Sequence, residues 1–195
     1  MIKVGITGGI GSGKTTVCRV FELLGVPVYY SDAEAKNILD SDPSVQEGIL
    51  KLFGAGVMDK NGKADRKKIA AIVFNEKEKL EKLNQLVHPA VGRRFDDWCK
   101  KYAHAPFILK EAAILYESGA YKQVDKVIVV STPKALKTER IMKRDHLSQA
   151  EVEKRIASQM DDEEKAARAD FVIRNDEKNL LIPQIIDLYR VLSGS

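Results

Sequence analysis

The chain has 195 residues, 44% of them hydrophobic and 31% charged, with 32 Lys and Arg against 28 Asp and Glu for a net charge of +4. These are ordinary proportions for a soluble globular protein of one domain, with or without an insertion, and the length suffices for a real core. No stretch approaches the roughly 20 apolar residues of a membrane span, and the weak basic excess suits a small polyanion while lacking the clustered basic face of a nucleic-acid binder.

The N-terminus, "MIKVGITGG", lacks the apolar run and small-residue cleavage site of a signal peptide. Ile2 to Thr7 reads as a buried strand, and a helix follows from about Gly13, with Val17, Val20, Phe21 and Leu24 on one face and Gly25 as its stop. Val28 to Ser31 reads as a second strand ending at Asp32. From Ala33 to Tyr102 the pattern turns helical. Asp42 and Pro43 open one helix and Asp65 another. Asn75 to Glu78 resembles a capping box, and Pro89 is expected to open a helix carrying Val91, Phe95, Trp98 and Tyr102. Phe53 to Lys68 reads as a Gly- and Lys-rich loop. Phe74 and Trp98 read as core residues.

Strand character resumes at Phe107 to Leu109, extending toward Leu115, and "KVIVVS" (Lys126 to Ser131) is the clearest buried strand. Thr132 and Pro133 are expected to cap the next helix. "SQAE" (Ser148 to Glu151) is a capping box. Phe171 to Ile173 is a last short strand, and Leu181, Ile185, Leu188 and Leu192 mark the final helix. Strands alternating with helices imply an α/β fold with a mainly parallel sheet. Cys18 and Cys99 both fall in helical patterns and read as reduced, partly buried thiols of a cytoplasmic protein. His104 and His146 read as loop residues.

One stretch carries chemistry. In "GITGGIGSGKTT", Gly8, Gly13, Lys14 and Thr15 complete G-x-x-x-x-G-K-[ST], with a strand before and a helix after. Glycines let successive N–H groups turn inward as an anion nest, and the helix that follows adds its positive end at the same spot. The ATP-binding candidates are therefore Gly8, Gly9, Gly11, Ser12, Gly13, Lys14, Thr15 and Thr16. Lys14 is expected on the β- and γ-phosphates and the Thr15 hydroxyl on Mg²⁺. The absence of N-K-x-D and L-S-G-G-Q segments counts against a GTPase and a transporter ATPase, and the short chain, the acid just after the second strand and the Arg-rich helical hairpin late in the chain favour a small-molecule kinase.

The chain resembles the dephospho-CoA kinase family. The matching segments are "GITGGIGSGKTT", "VYYSDAEAK", "ADRKKIAAIVF", "LNQLVHPAV", "AILYESGAYKQVDKVIVV", "RIMKRDHLSQAEVEKRIASQM" and "ADFVIRND", in the family's order and over nearly the whole chain. Two places depart from the family pattern: Tyr30-Ser31-Asp32 stands for Asp-Ala-Asp, and "EAAIL", with Glu111 and Ala113, stands for an Asp-x-Pro-Leu-Leu-like run. The resemblance implies phosphorylation of the ribose 3′-hydroxyl of dephospho-CoA by ATP, with Mg²⁺ as cofactor. It implies a three-layer P-loop fold with a core over 1–32 and 106–195, a helical substrate insertion over 33–105 and a helical lid over about 138–168.

Asp32, at the end of the second strand, then has two readings: a catalytic carboxylate that takes or aims the acceptor proton, or the N-cap of a helix from Ala33. Arg140 and Arg144 lie one turn apart on the lid and would stabilise phosphate charge, with Arg155 joining them across a turn; the alternative is a solvated hairpin. Asn175, by resemblance near the adenine, reads equally as a turn residue. Arg66, with Lys67, and His88 are the substrate-side candidates. Glu117 reads first as the structural partner of a basic group, and Glu111 as an acid acting through metal-bound water. The rival functions are another P-loop nucleoside or nucleotide kinase and a non-catalytic nucleotide-binding regulatory module. A monomer and a weak homo-oligomer both stay open.

Overall fold

The computed structural model describes residues 1–194. They divide into two compact units, residues 1–30 with 99 onward, and residues 31–98. The strands are β1 (Ile2–Thr7), β2 (Val28–Tyr30), β3 (Phe107–Glu111), β4 (Lys126–Ser131) and β5 (Phe171–Arg174). The helices among the described residues are α1 (Lys14–Leu23), α2 (Ser31–Ser41), α3 (Pro43–Phe53), α4 (Arg66–Asn75), α5 (Lys77–Lys101), α6 (Lys134–Asp145), α7 (Gln149–Ala157), α8 (Asp162–Ala167) and α9 (Leu181–Ser193). None is long and apolar enough to cross a membrane.

In the first unit the strands form one parallel sheet in the order β2-β3-β1-β4-β5. Ile2 to Ile6 pair with Phe107 to Glu111 on one side, and Val4 to Thr7 with Lys126 to Val129 on the other. Successive strand residues point to opposite faces, and both faces are covered. Val4, Ile6, Leu109, Ile128 and Val130 pack with Val17 and Phe21 of α1 and Ile185 and Leu188 of α9. Val127 and Val129 pack the other way, with Leu115, Tyr116 and Ala166 of α8. The result is a three-layer α/β fold, and β1, fed by the chain start, is its middle strand. Cys18 and Cys99 are buried and not disulfide-bonded.

Two strand ends differ from expectation. β2 stops at Tyr30, because it pairs with β3 over only three residues, and Ser31 already begins α2. β3 stops at Glu111, and the chain turns away before Leu115.

The second unit is the helices α2 to α4 and most of α5. Asp42 caps α3 through the Ser44 and Val45 amides, with Pro43 in the first turn, and Asp65 caps α4 through Lys67 and Lys68. The expected loop from Phe53 to Lys68 holds more structure: a 3-10 turn at Ala55–Val57 and a Met58–Ala64 bridge. Asn75 is the last residue of α4, and its side-chain amide donates to the Ala71 carbonyl (3.1 Å) instead of capping α5. Pro89 does not open a helix. It lies inside α5, where its missing N–H forfeits one hydrogen bond. Leu83, Val87, Val91, Phe95 and Cys99 are all buried and recur every fourth residue straight through it. That continuous apolar stripe outweighs the local break. Trp98 stacks on Phe95 with ring centres 6.3 Å apart. Phe74, expected in the core, is 89% exposed.

Candidate active site

β1 ends at Thr7 and α1 begins at Lys14, so residues 8–13 form the loop between them. Gly13 sits at φ 90°, left-handed, and offers α1 no side-chain cap. The Thr16 N–H donates to the Gly13 carbonyl (3.0 Å), and no side chain competes with an anion for the positive end of the helix. A side chain at Gly13 would also run into the Asn175 amide. Gly11, at φ 79°, turns the chain at the loop's far side, where a Cβ would come within 3.0 Å of the Lys137 carbonyl.

The loop is braced from behind. The Asn175 side-chain amide donates to the Ser12 carbonyl (2.8 Å). The Thr132 hydroxyl donates to that same carbonyl (3.0 Å), with the Asn175 carbonyl at 3.1 Å sharing the proton. Thr132 therefore does not cap α6, whose N-cap position is Pro133 without a side-chain bond. The residue after β4 and the residue after β5 are spent on fixing one peptide of the loop.

Lys14 is buried and reaches back over the loop, its Nζ donating to the Gly8 (2.8 Å) and Gly9 (3.3 Å) carbonyls. Thr15 and Thr16, in the first turn of α1, are exposed. Glu111 is paired in register with Ile6, two residues before Gly8, and is buried. Burial first, and then the Glu111 and Glu22 carboxylates, push the Cys18 thiol far above its usual range, so it stays protonated and unreactive.

On the helical hairpin the arginines divide. Arg140 pairs with Glu177 (3.1 Å), just past Asn175. Arg144 and Arg155 share Asp145, at 2.7 and 3.1 Å. Arg155 thus joins Arg144 and not Arg140. The hydrogen bond from Arg144 holds the Asp145 carboxyl below its usual range. The Ser148–Glu151 capping box forms, and His146 ends α6 in the left-handed region. Glu117 pairs with Lys165 (2.9 Å), as its reading as a structural partner anticipates.

The remaining candidates belong to the second unit. Asp32 is exposed in the first turn of α2, where the helix dipole favours a negative charge, and is not the cap of a helix from Ala33. Arg66 pairs with Asp40 (3.1 Å), eight residues further along α2, about 12 Å of helix away from Asp32. His88 is half-buried in α5, and burial lowers its pKa, keeping the ring neutral near pH 7.

A β-strand, a braced glycine loop and a lysine at the start of the next helix make a triphosphate site, and the family comparison goes further: the family model of dephospho-CoA kinase matches residues 2–180. The chain belongs to the dephospho-CoA kinase family. A dephospho-CoA kinase from Bacteroides fragilis is 41% identical over 191 residues, spanning 98% of this chain and 93% of that one. The solved dephospho-CoA kinase of Campylobacter jejuni matches with a TM-score of 0.73 at 32% identity, over 98% of this chain and 97% of that one. A Thermus thermophilus protein of solved structure matches with a TM-score of 0.82 at 34% identity, over 99% and 97%.

Some residues around the loop of this dephospho-CoA kinase family member escape sequence reading. Gly9 donates its N–H to Asp162 Oδ1 (3.1 Å) and Ile10 donates to Gln159 Oε1 (2.8 Å). Gly9 belongs to the glycine motif, yet its amide is taken by a carboxylate. Asp162 lies 153 residues away in sequence, and no local pattern announces such a contact.

Proposed function

We propose that this chain transfers the terminal phosphoryl group of ATP to the ribose 3′-hydroxyl of dephospho-CoA, releasing coenzyme A and ADP. The observation that carries this reading is the family match across residues 2–180, with the phosphate loop intact inside it. Phosphoryl transfer asks the protein for positioning and charge more than for covalent chemistry. In this reading the amides of Gly11, Gly13, Lys14 and Thr15 and the positive end of α1 hold the β- and γ-phosphates, while the Ser12 and Thr16 amides donate to the Gly9 and Gly13 carbonyls and keep the loop's shape. Lys14 exchanges the Gly8 and Gly9 carbonyls for phosphate oxygens, a small swing from where it already points.

Thr15 offers one hydroxyl to Mg²⁺. Among the described residues no three His, Cys, Asp or Glu side chains cluster to hold a metal unaided. That fits Mg²⁺, which keeps waters and binds largely through substrate phosphates. Once bound, the ion offsets phosphate charge. Asp32 takes or aims the acceptor proton. Arg140 and Arg144 neutralise charge from a lid over about residues 138–168, and Asn175 steadies the nucleotide side. The helical segment over 33–105 receives dephospho-CoA, with Arg66 and His88 among its contacts. The reaction belongs in the cytoplasm, where ATP is plentiful, and calls for no nucleic-acid partner.

The test is an assay of ATP with dephospho-CoA, reading coenzyme A, on the wild type and Asp32→Asn. The expected result is turnover by the wild type and a fall of about 10²- to 10⁴-fold in kcat for Asp32→Asn, with ATP affinity retained. Unchanged kcat removes Asp32 from the mechanism. Equal turnover of nucleosides, nucleoside monophosphates or shikimate moves the chain to another small-molecule kinase.

A further inference from the structure

Two charged side chains lie against the phosphate loop without belonging to its motif. Lys137, from α6, is buried, and its Nζ meets Asp162 Oδ2 at 2.5 Å, with side-chain exposures of only 6% and 14%. The other oxygen of Asp162 accepts the Gly9 N–H at 3.1 Å. The pair also crowds the space at Gly9: a Cβ there would lie 2.7 Å from Asp162 Oδ1 and 3.1 Å from Lys137 Nζ. Lys137, Asp162 and Gln159 also line a cavity of about 660 Å³ beside Gly9 and Ile10.

A carboxylate is a costly neighbour for a triphosphate. It takes one of the loop's amides, and its negative charge repels the ligand at close range in a poorly screened place. The loop tolerates it because Lys137 neutralises it. Both groups come from the segment that carries the arginines: α6 holds Lys137 and Arg140, and Asp162 follows α7. Gln159, between them, takes the Ile10 amide.

We propose that Lys137 and Asp162 are positioning residues for ATP: Asp162 ties the α7–α8 corner to the Gly9 amide, and Lys137 cancels the charge that this tie brings to the phosphate loop. The claim rests on the loop's being an ATP site, and its test needs no phosphoryl acceptor. ATP is titrated calorimetrically into the full chain carrying Lys137→Gln, Asp162→Asn or both, in low and high salt, with thermal melts alongside. Lys137→Gln leaves the carboxylate uncompensated, so Kd for ATP rises at least about tenfold at low salt and less at high salt. The double variant keeps an oxygen for the Gly9 amide and carries no charge, so its Kd returns to within about threefold of wild type. Asp162→Asn alone binds ATP as tightly as the wild type or more so.

A wild-type Kd in Lys137→Gln, a double variant as weak as Lys137→Gln, or weakened binding in Asp162→Asn overturns the proposal. If Lys137→Gln fails to fold, weakened binding in Asp162→Asn still overturns the proposal, and tighter binding at low salt that fades at high salt supports it. A wild type that binds no ATP refutes the kinase reading instead.

Discussion

Replacing Glu117 by Gln strands a buried cation. The Lys165 side chain is fully buried and Glu117's is 23% exposed, with 2.9 Å between them. Removing one partner of a buried pair costs about 3–5 kcal/mol. The Ala113 carbonyl still accepts from Lys165 at 3.2 Å, which favours the lower end, about 3 kcal/mol. For a chain of this size that is a fall in Tm of about 6–12 °C. Lys165→Met is milder, about 1–2 kcal/mol, because the remaining carboxylate keeps the Met160 amide (2.9 Å) and some water. The double variant costs less than the sum.

The pH dependence has a definite sign. Burial alone would raise the Glu117 carboxyl, but hydrogen bonds from Lys165 and the Met160 amide outweigh it and hold it below its usual range. A depressed folded-state pKa stabilises above the unfolded value, about 4.3, and the gain is lost as pH falls through the folded value. The stability gap between Glu117→Gln and wild type is therefore full at pH 7 and closes below about pH 4. Urea melts at both pH values check this. A Glu117→Gln variant within about 0.5 kcal/mol of wild type, or one milder than Lys165→Met, would refute the reasoning.

Lys14→Met should lower kcat by about 10²–10³-fold, since charge developing on the phosphates loses its cation; steady-state assays at saturating ATP read it. Asn175→Ala removes the brace on Ser12, worth about 1 kcal/mol, and should raise the Kd for ATP about fivefold while leaving adenosine binding unchanged, measured by titration. If adenosine binding falls in parallel, Asn175 meets the base and not only the loop. Gly13→Ala forces a side chain into the left-handed region and onto Asn175, so ATP binding should vanish while far-UV circular dichroism stays native.

The phosphate loop was legible because everything it needs is contiguous: an apolar strand, glycines, lysine, and a helix with its apolar face. Caps at Asp42, Asp65 and Ser148 were legible for the same reason. Local pattern and structure part where a short-range rule meets a longer one. Pro89 is a helix breaker by itself, but the stripe from Leu83 to Cys99 carries the helix through it. Thr132 looked like a cap because Pro133 follows it, whereas its hydroxyl serves a carbonyl 120 residues away. Phe74 looked like core by residue type alone and faces outward. The Lys137–Asp162 pair joins two helices, and in the sequence its members are two charges among many.

The middle strand has a consequence for the life of the newborn chain. Ile2 lies opposite Phe107, and Val4 opposite Lys126, so both neighbours of β1 are more than a hundred residues downstream. A ribosome adding roughly 5–20 residues per second leaves that apolar segment without strand partners for on the order of ten seconds. During that interval its unsatisfied main chain is a template for other nascent chains. Translation pauses between residues 31 and 106 lengthen the exposure, and chaperone capture early in synthesis shortens it. The hazard of this architecture is thus concentrated at birth, before any nucleotide is met.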